Sequence, residues 1–96
     1  LPYKMDFKGV YVMSVEKNSN FYGKLTVGDT VTKVDGHTFK SAEEFMKYVK
    51  SKKVNDVVTI TYLHDGKEKE TSGKLIELPT EKKAGIGITL TDHTEI

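Results

Sequence analysis

The 96-residue sequence contains no cysteine, and all fifteen of its basic residues are lysines. The lack of cysteine excludes a disulfide framework, a thiol nucleophile and a thiolate metal site. The lack of arginine removes the side chain that most often makes paired hydrogen bonds to bases and phosphates. No apolar run approaches the ~18 residues that a membrane-spanning helix requires. We therefore expect no direct membrane insertion by this segment.

The charges are nearly balanced, with 15 lysines against 14 aspartates and glutamates. A content of 36% hydrophobic and 30% charged residues is typical of one soluble globular domain at this length. Nucleic-acid and membrane surfaces are usually bound by concentrated basic patches, which this sequence lacks. The charge balance therefore predicts no nucleic-acid partner.

Few residues offer catalytic or metal-binding chemistry. His37, His64 and His93 are far apart in the sequence and have no metal-binding spacing. No serine lies in a G-x-S-x-G motif. Asp29 and Asp65 occupy turn positions, where aspartate stabilises the backbone, and so they are poor candidates for an acid–base pair. We expect no catalytic residue, no metal and no cofactor.

Short runs of alternating apolar and polar residues predict five strands, at 9–15, 30–34, 56–63, 68–78 and 85–90. Tight turns are predicted at Asp35-Gly36 and within "HDGK" (64–67). The polar loop after the first strand is expected to contain a one-turn helix capped by Asn18 or Ser19, with Leu25 buried beneath it.

One long helix is predicted within "FKSAEEFMKYVKSKK" (39–53). Ser41 and Glu44 fit the S-x-x-E capping box, and Phe39 precedes them as an apolar staple. Apolar residues recur at helical spacing and form one stripe: Ala42, Phe45, Met46 and Val49. With the strands, this predicts an α+β fold, a partly open barrel or sandwich of five to six strands with one long helix and one short helical turn.

This order of elements resembles a PDZ domain, most specifically in the segment "L-x-V-G-D-x-V-x-x-V-D-G" (25–36). The resemblance implies a PDZ domain over residues 9–91, a flanking segment at 1–8 and a frayed or cut tail at 92–96. In the permuted bacterial form of the family, the peptide-binding strand is the last in the chain. An apolar-Gly-apolar loop begins that strand, and "GIGI" (85–88) is similar to it.

The resemblance implies a site for the C-terminal or extended segments of peptides or unfolded proteins. Gly85 and Gly87 would free backbone N–H groups for a terminal carboxylate, since glycine places no side chain in the way. On this interpretation Gly87→Val leaves the fold cooperative but weakens peptide capture. Apolar side chains would form the pocket for the last residue of the peptide: Ile86, Ile88 and Leu90.

The resemblance places four residues of the long helix across the groove: Ala42, Met46, Val49 and Lys50. Lys50 would weakly attract the carboxylate of the ligand. Members of the family that select Ser or Thr two residues before the peptide terminus carry histidine at the first helical position. That position is Ala42 here, and so we expect an apolar preference. A simpler interpretation also stands, in which "GIGI" packs closely against a neighbouring strand and Met46 and Val49 belong to the core.

The permuted order and the absence of cysteine resemble the PDZ segment of membrane-anchored, Lon-like Ser-Lys proteases of Gram-positive bacteria. Trypsin-like periplasmic proteases and intramembrane metalloproteases carry similar modules. The resemblance implies a non-catalytic fragment that presents substrate to an attached protease domain outside the cytoplasm. The alternative is a structural module whose groove is filled by another part of the same chain. The ending "TEI" (94–96) also has the form that PDZ domains bind, which leaves docking into a second copy open.

Overall fold

The computed structural model describes residues 6–95. Seven strands and one helix follow one another in the order β1 (Asp6–Val15), β2 (Thr30–Val34), α1 (Ala42–Lys50), β3 (Val57–His64), β4 (Lys67–Lys74), β5 (Ile76–Glu77), β6 (Ala84–Gly85) and β7 (Ile88–Glu95). The predicted α+β class and the single long helix are confirmed. The predicted short helical turn corresponds to a series of hydrogen-bonded turns, in the last of which the Leu25 N–H donates to the Phe21 carbonyl at 3.0 Å.

Five strands form one antiparallel sheet in the order β4-β3-β2-β1-β7, and β5 pairs with β6 in a small second sheet. The first and last strands of the chain are therefore neighbours, and β7 lies at one edge of the sheet. Strand β7 continues to Glu95, which pairs with Asp6, where the sequence predicted a frayed end. Residues 1–5 and Ile96 lie outside the described residues, and with them most of the predicted flanking segment and the terminus of the "TEI" motif.

Helix α1 begins at the predicted cap, because the Ser41 hydroxyl accepts a hydrogen bond from the Glu44 N–H at 3.1 Å. The predicted staple, Phe39, packs against Phe45 with ring centroids 5.0 Å apart. Phe45 and Val49 are fully buried in the core. Together these contacts lay one face of the helix on the sheet.

The last turn of α1 is fixed to the Asp35 turn through Tyr48. The Tyr48 hydroxyl donates to one Asp35 carboxylate oxygen at 2.7 Å, and the Thr59 N–H donates to the other at 2.8 Å. Lys52 lies 4.9 Å from the Tyr48 ring centroid, and its hydrogen bond to Tyr48 raises the pKa of the lysine. The helix is thus anchored at both ends, which fixes one wall of the site described below.

The core is formed by apolar side chains of β1, β2, β3, α1, β6 and β7 and of the loops that connect the elements. Its largest fully buried members are Phe21, Phe45, Leu25, Ile60, Leu75 and Ile86. Leu25 is thus buried as the sequence predicted. Ile86 belongs to this core although it lies in the loop that begins the closing strand.

Asp29 and Asp65 both approach His64, which the sequence did not predict. The Asp29 carboxylate is 3% exposed and accepts hydrogen bonds from the Thr26 N–H and from the His64 ring. Asp65 lies 3.4 Å from the other ring nitrogen and is 90% exposed. The arrangement joins the β3–β4 turn to the start of β2.

We expect His64→Ala to lower the free energy of unfolding by about 1–2 kcal/mol, because it removes a hydrogen-bond partner from a buried carboxylate. Urea denaturation measures this. Asp65→Asn is the matched control, since asparagine also tolerates the left-handed turn conformation at this exposed position. An equal loss in both variants would show that the buried contact contributes nothing of its own.

Candidate peptide-binding site

The outer edge of β7 presents backbone groups that β1 does not use. Leu90 lies opposite Val12. The Val12 N–H donates to the Asp29 carbonyl at 2.9 Å, and its carbonyl accepts from the Gly28 N–H at 3.0 Å. Because both backbone groups of Val12 are directed away from β7, the N–H and carbonyl of Leu90 point to the outer edge.

Backbone groups alternate in direction along a strand. The N–H and carbonyl groups of the residues two positions before and two positions after Leu90 therefore also point to the outer edge. Near the start of β7, the Glu16 N–H donates to the Gly87 carbonyl at 2.8 Å. The next pair along the two strands, Val15 and Ile88, is therefore a non-hydrogen-bonded pair. Ile88, Leu90 and Asp92 therefore direct their N–H and carbonyl groups to the outer edge. Their side chains share one face of the strand.

The loop before β7 adds the Gly87 N–H to the donors at this edge. The Ser19 hydroxyl donates to the Ile86 carbonyl at 2.6 Å, so that this carbonyl points into the protein. In a trans peptide the carbonyl and the following N–H point in opposite directions, and the chain has no cis peptide among its described residues. The N–H groups of Gly87 and Ile88 therefore point away from Ser19 and Glu16. No described residue accepts a hydrogen bond from the Gly87 N–H.

Helix α1 faces the side chains of this edge. The Ala42 N–H donates to the Asp92 carboxylate at 2.6 Å, which joins the helix N-terminus to β7. Ala42, Met46 and Leu90 are partly buried and pack against the core. The edge of β7 and the Ala42–Met46 face of α1 are therefore the two sides of the candidate groove.

The predicted site residues differ in how much surface they offer to a ligand. Ile86, Ile88 and Val49 are 2%, 9% and 0% exposed, so they form the base of the groove and the core beneath it. Lys50 points to a different neighbour, since its Nζ lies 3.4 Å from a Glu81 carboxylate oxygen. Its predicted attraction for a ligand carboxylate stays a prediction.

Both glycines lie close to neighbours inside the protein. A Cβ atom on Gly85 would lie 2.4 Å from Leu78 Cγ. A Cβ atom on Gly87 would lie 2.8 Å from Ser19 Cβ, and the φ of Gly87 is +75°. We therefore expect Gly87→Val to destabilise the fold, because valine is strained at this φ and crowds Ser19. The predicted cooperativity of its folding and its weakened peptide capture stay predictions.

Two residues of the site were not predicted as such. Ser19 was expected only to cap a turn, yet its hydroxyl also orients the loop that begins β7. Asp92 lay in the segment interpreted as a tail. Neither position carries a local signal, because each acts through a residue that is 50 or more positions away in the sequence.

Within the described part of the chain, no group of three histidine, aspartate or glutamate residues is arranged to hold a metal ion. No helix among residues 6–95 is both long and apolar enough to cross a membrane.

A family model described as a PDZ domain matches residues 3–75 of the chain. The match ends before β6 and β7, which hold the groove edge. No curated protein sequence matches the chain.

Several solved structures, two of them described as PDZ domains, resemble most of this chain. The PDZ domain of the SdrC-like protein of Listeria monocytogenes is 43% identical, with a TM-score of 0.85 over 92% of this chain and 93% of that chain. The corresponding domain from Listeria innocua is 44% identical, with a TM-score of 0.83 over 90% and 97%. A structure from Geobacillus thermodenitrificans is 36% identical, with a TM-score of 0.75 over 85% and 95%. The chain therefore belongs to the PDZ domain family, whose members are non-catalytic protein-interaction modules.

Proposed function

We propose that this PDZ domain binds the free C-terminus of a peptide or an unfolded protein as an added strand beside β7. The observation that carries the proposal is the free outer edge of β7, with the Gly87 and Ile88 N–H groups at its beginning. Main-chain hydrogen bonds to a strand edge supply affinity in this mode of recognition, and side-chain pockets supply selectivity.

The position of the donors sets the direction of the ligand. Its terminal carboxylate lies at the Gly87 and Ile88 N–H groups, so its chain runs antiparallel to β7. The last residue then pairs with Ile88, the third from last with Leu90 and the fifth from last with Asp92. Since directly opposite residues share a face, the side chains of these ligand residues point toward α1.

The groove favours apolar side chains at the last and third-from-last positions of the ligand. Leu90 and Met46 are the partly buried apolar residues available on its two sides. Methionine adapts to different shapes because it is flexible and polarisable. Ala42 begins the helix and offers no hydrogen-bonding side chain to a ligand hydroxyl.

The test uses a fluorescein-labelled probe peptide, Gly-Gly-Ala-Ser-Val-Ser-Ile, with a free or an amidated C-terminus. We expect amidation to weaken binding about tenfold or more, because it removes a charge and an acceptor from two backbone donors. Fluorescence polarisation measures both affinities. Equal binding of the two forms, or no binding of the free form, would refute carboxylate capture.

We further propose that the domain presents substrate to, or regulates, an attached serine protease domain of the Lon-like Ser-Lys type. Such a protein would be anchored in a bacterial membrane, with this domain on the extracytoplasmic side. The permuted order, with the groove strand last, supports the proposal by its resemblance to those proteases. In the longer polypeptide, Leu90→Pro should change the rate at which the protease cleaves probe peptides but not its reaction with a small active-site inhibitor.

The alternative, a groove filled by another part of the same polypeptide, is supported by the same free edge. Hydrogen exchange of this domain alone and within the longer polypeptide separates the two. Protection of the Leu90 N–H only in the longer polypeptide favours an internal occupant. Equal exchange in both favours an open groove.

A further inference from the structure

Asp92 occupies a position from which it can select among ligands. Its backbone points to the outer edge of β7, four residues beyond Ile88, and its side chain lies on the groove face. If the proposed function holds, on which this inference rests, the fifth residue from the ligand terminus pairs with Asp92. Opposite residues of an antiparallel pair have Cβ atoms about 5 Å apart, within reach of a lysine or arginine side chain.

The Asp92 carboxylate is positioned to accept from a ligand cation. One oxygen accepts the Ala42 N–H at 2.6 Å, which fixes the orientation of the group. No described residue donates a hydrogen bond to the other oxygen, and the side chain is exposed. Glu43 and Glu44 in the first turn of α1 add negative charge at this end of the helix, and the nearest helical lysine, Lys47, follows one turn later.

We infer that this domain prefers ligands with a basic residue at the fifth position from the C-terminus, and that Asp92 determines the preference. The acidic group lies at the open end of the groove, opposite the end that receives the terminal carboxylate. A ligand with a basic residue there and a free carboxylate at its terminus has the charge complementary to the site at both ends.

The test compares three forms of the probe peptide, with Lys, Ala or Glu at its third position, which is the fifth from the terminus. We expect the native domain to bind the Lys form about fivefold more tightly than the Glu form at low ionic strength. Added salt should reduce the preference, because exposed charges are screened. Asp92→Asn should abolish it, and Asp92→Lys should reverse it.

The variants separate recognition from folding. Asparagine at position 92 retains an oxygen that can accept the Ala42 N–H, so the contact with the helix is kept. Asp65→Asn removes the same charge from the β3–β4 turn, at the opposite side of the sheet, and should keep the preference for Lys.

Each outcome decides the inference. Equal binding of the three peptides, or tighter binding of the Glu form, overturns the role of Asp92. If amidation still weakens binding in that case, the proposed function stands without it. No binding of any peptide with a free C-terminus overturns both.

Discussion

Gly87→Val is expected to lower the free energy of unfolding by about 2–5 kcal/mol. A branched residue at a φ of +75° is strained, and a left-handed backbone costs a non-glycine residue about 1–2 kcal/mol. Crowding adds about 1–3 kcal/mol, since the new Cβ atom would meet Ser19 Cβ at 2.8 Å and Ile76 Cδ1 at 3.2 Å. Urea denaturation of the purified domain measures the loss.

Gly36→Val is the matched control for the backbone contribution. Gly36 has a φ of +77°, and no atom lies within 4 Å of the Cβ position that a side chain would occupy. It should therefore lose only the backbone contribution of about 1–2 kcal/mol. If the two valine variants were equally destabilised, close packing of Gly87 against Ser19 would be refuted.

The sequence predicted the main elements because their signals are local. Alternating residues identified β2 and β3, and the capping box placed the start of α1 within one residue. The continuation of β7 through 91–95 could not be predicted, since "TDHTE" has no apolar alternation. That segment is held by pairing with β1, about 80 positions away in the chain.

In the candidate site too, the features with a local sequence signal were predicted and those that depend on distant contacts were not. The "GIGI" loop was identified from its pattern, but its glycines were interpreted as space for a ligand. In the structure the Cβ position of Gly85 faces Leu78 and that of Gly87 faces Ser19, and only the fold can show which neighbour a glycine accommodates. Gly87 also serves the proposed site, because it lets Ser19 come close enough to hold the Ile86 carbonyl inward, which leaves the Gly87 N–H outward.

Leu90→Pro is expected to weaken binding of the free-terminus probe about thirtyfold while preserving the sheet. Proline is tolerated at a sheet edge where the lost N–H faces outward. The Leu90 N–H is such a group, because β1 directs the backbone groups of Val12 to the other side. A ligand beside β7 would lose one hydrogen bond and keep an unpaired carbonyl, a loss of about 1–3 kcal/mol. Fluorescence polarisation measures the affinity, and circular dichroism checks the fold.

Two variants isolate the backbone contribution in this experiment. Leu90→Ala loses the same partly buried side chain but keeps the N–H, so the affinity ratio of the alanine and proline variants reports the backbone group alone. Thr91→Pro removes an N–H that faces Tyr11 of β1 and should destabilise the sheet itself. If the alanine and proline variants at position 90 bound the probe equally well, the peptide would not lie beside β7. Binding by strand addition would then have to be abandoned, even if amidation of the probe still weakened its binding.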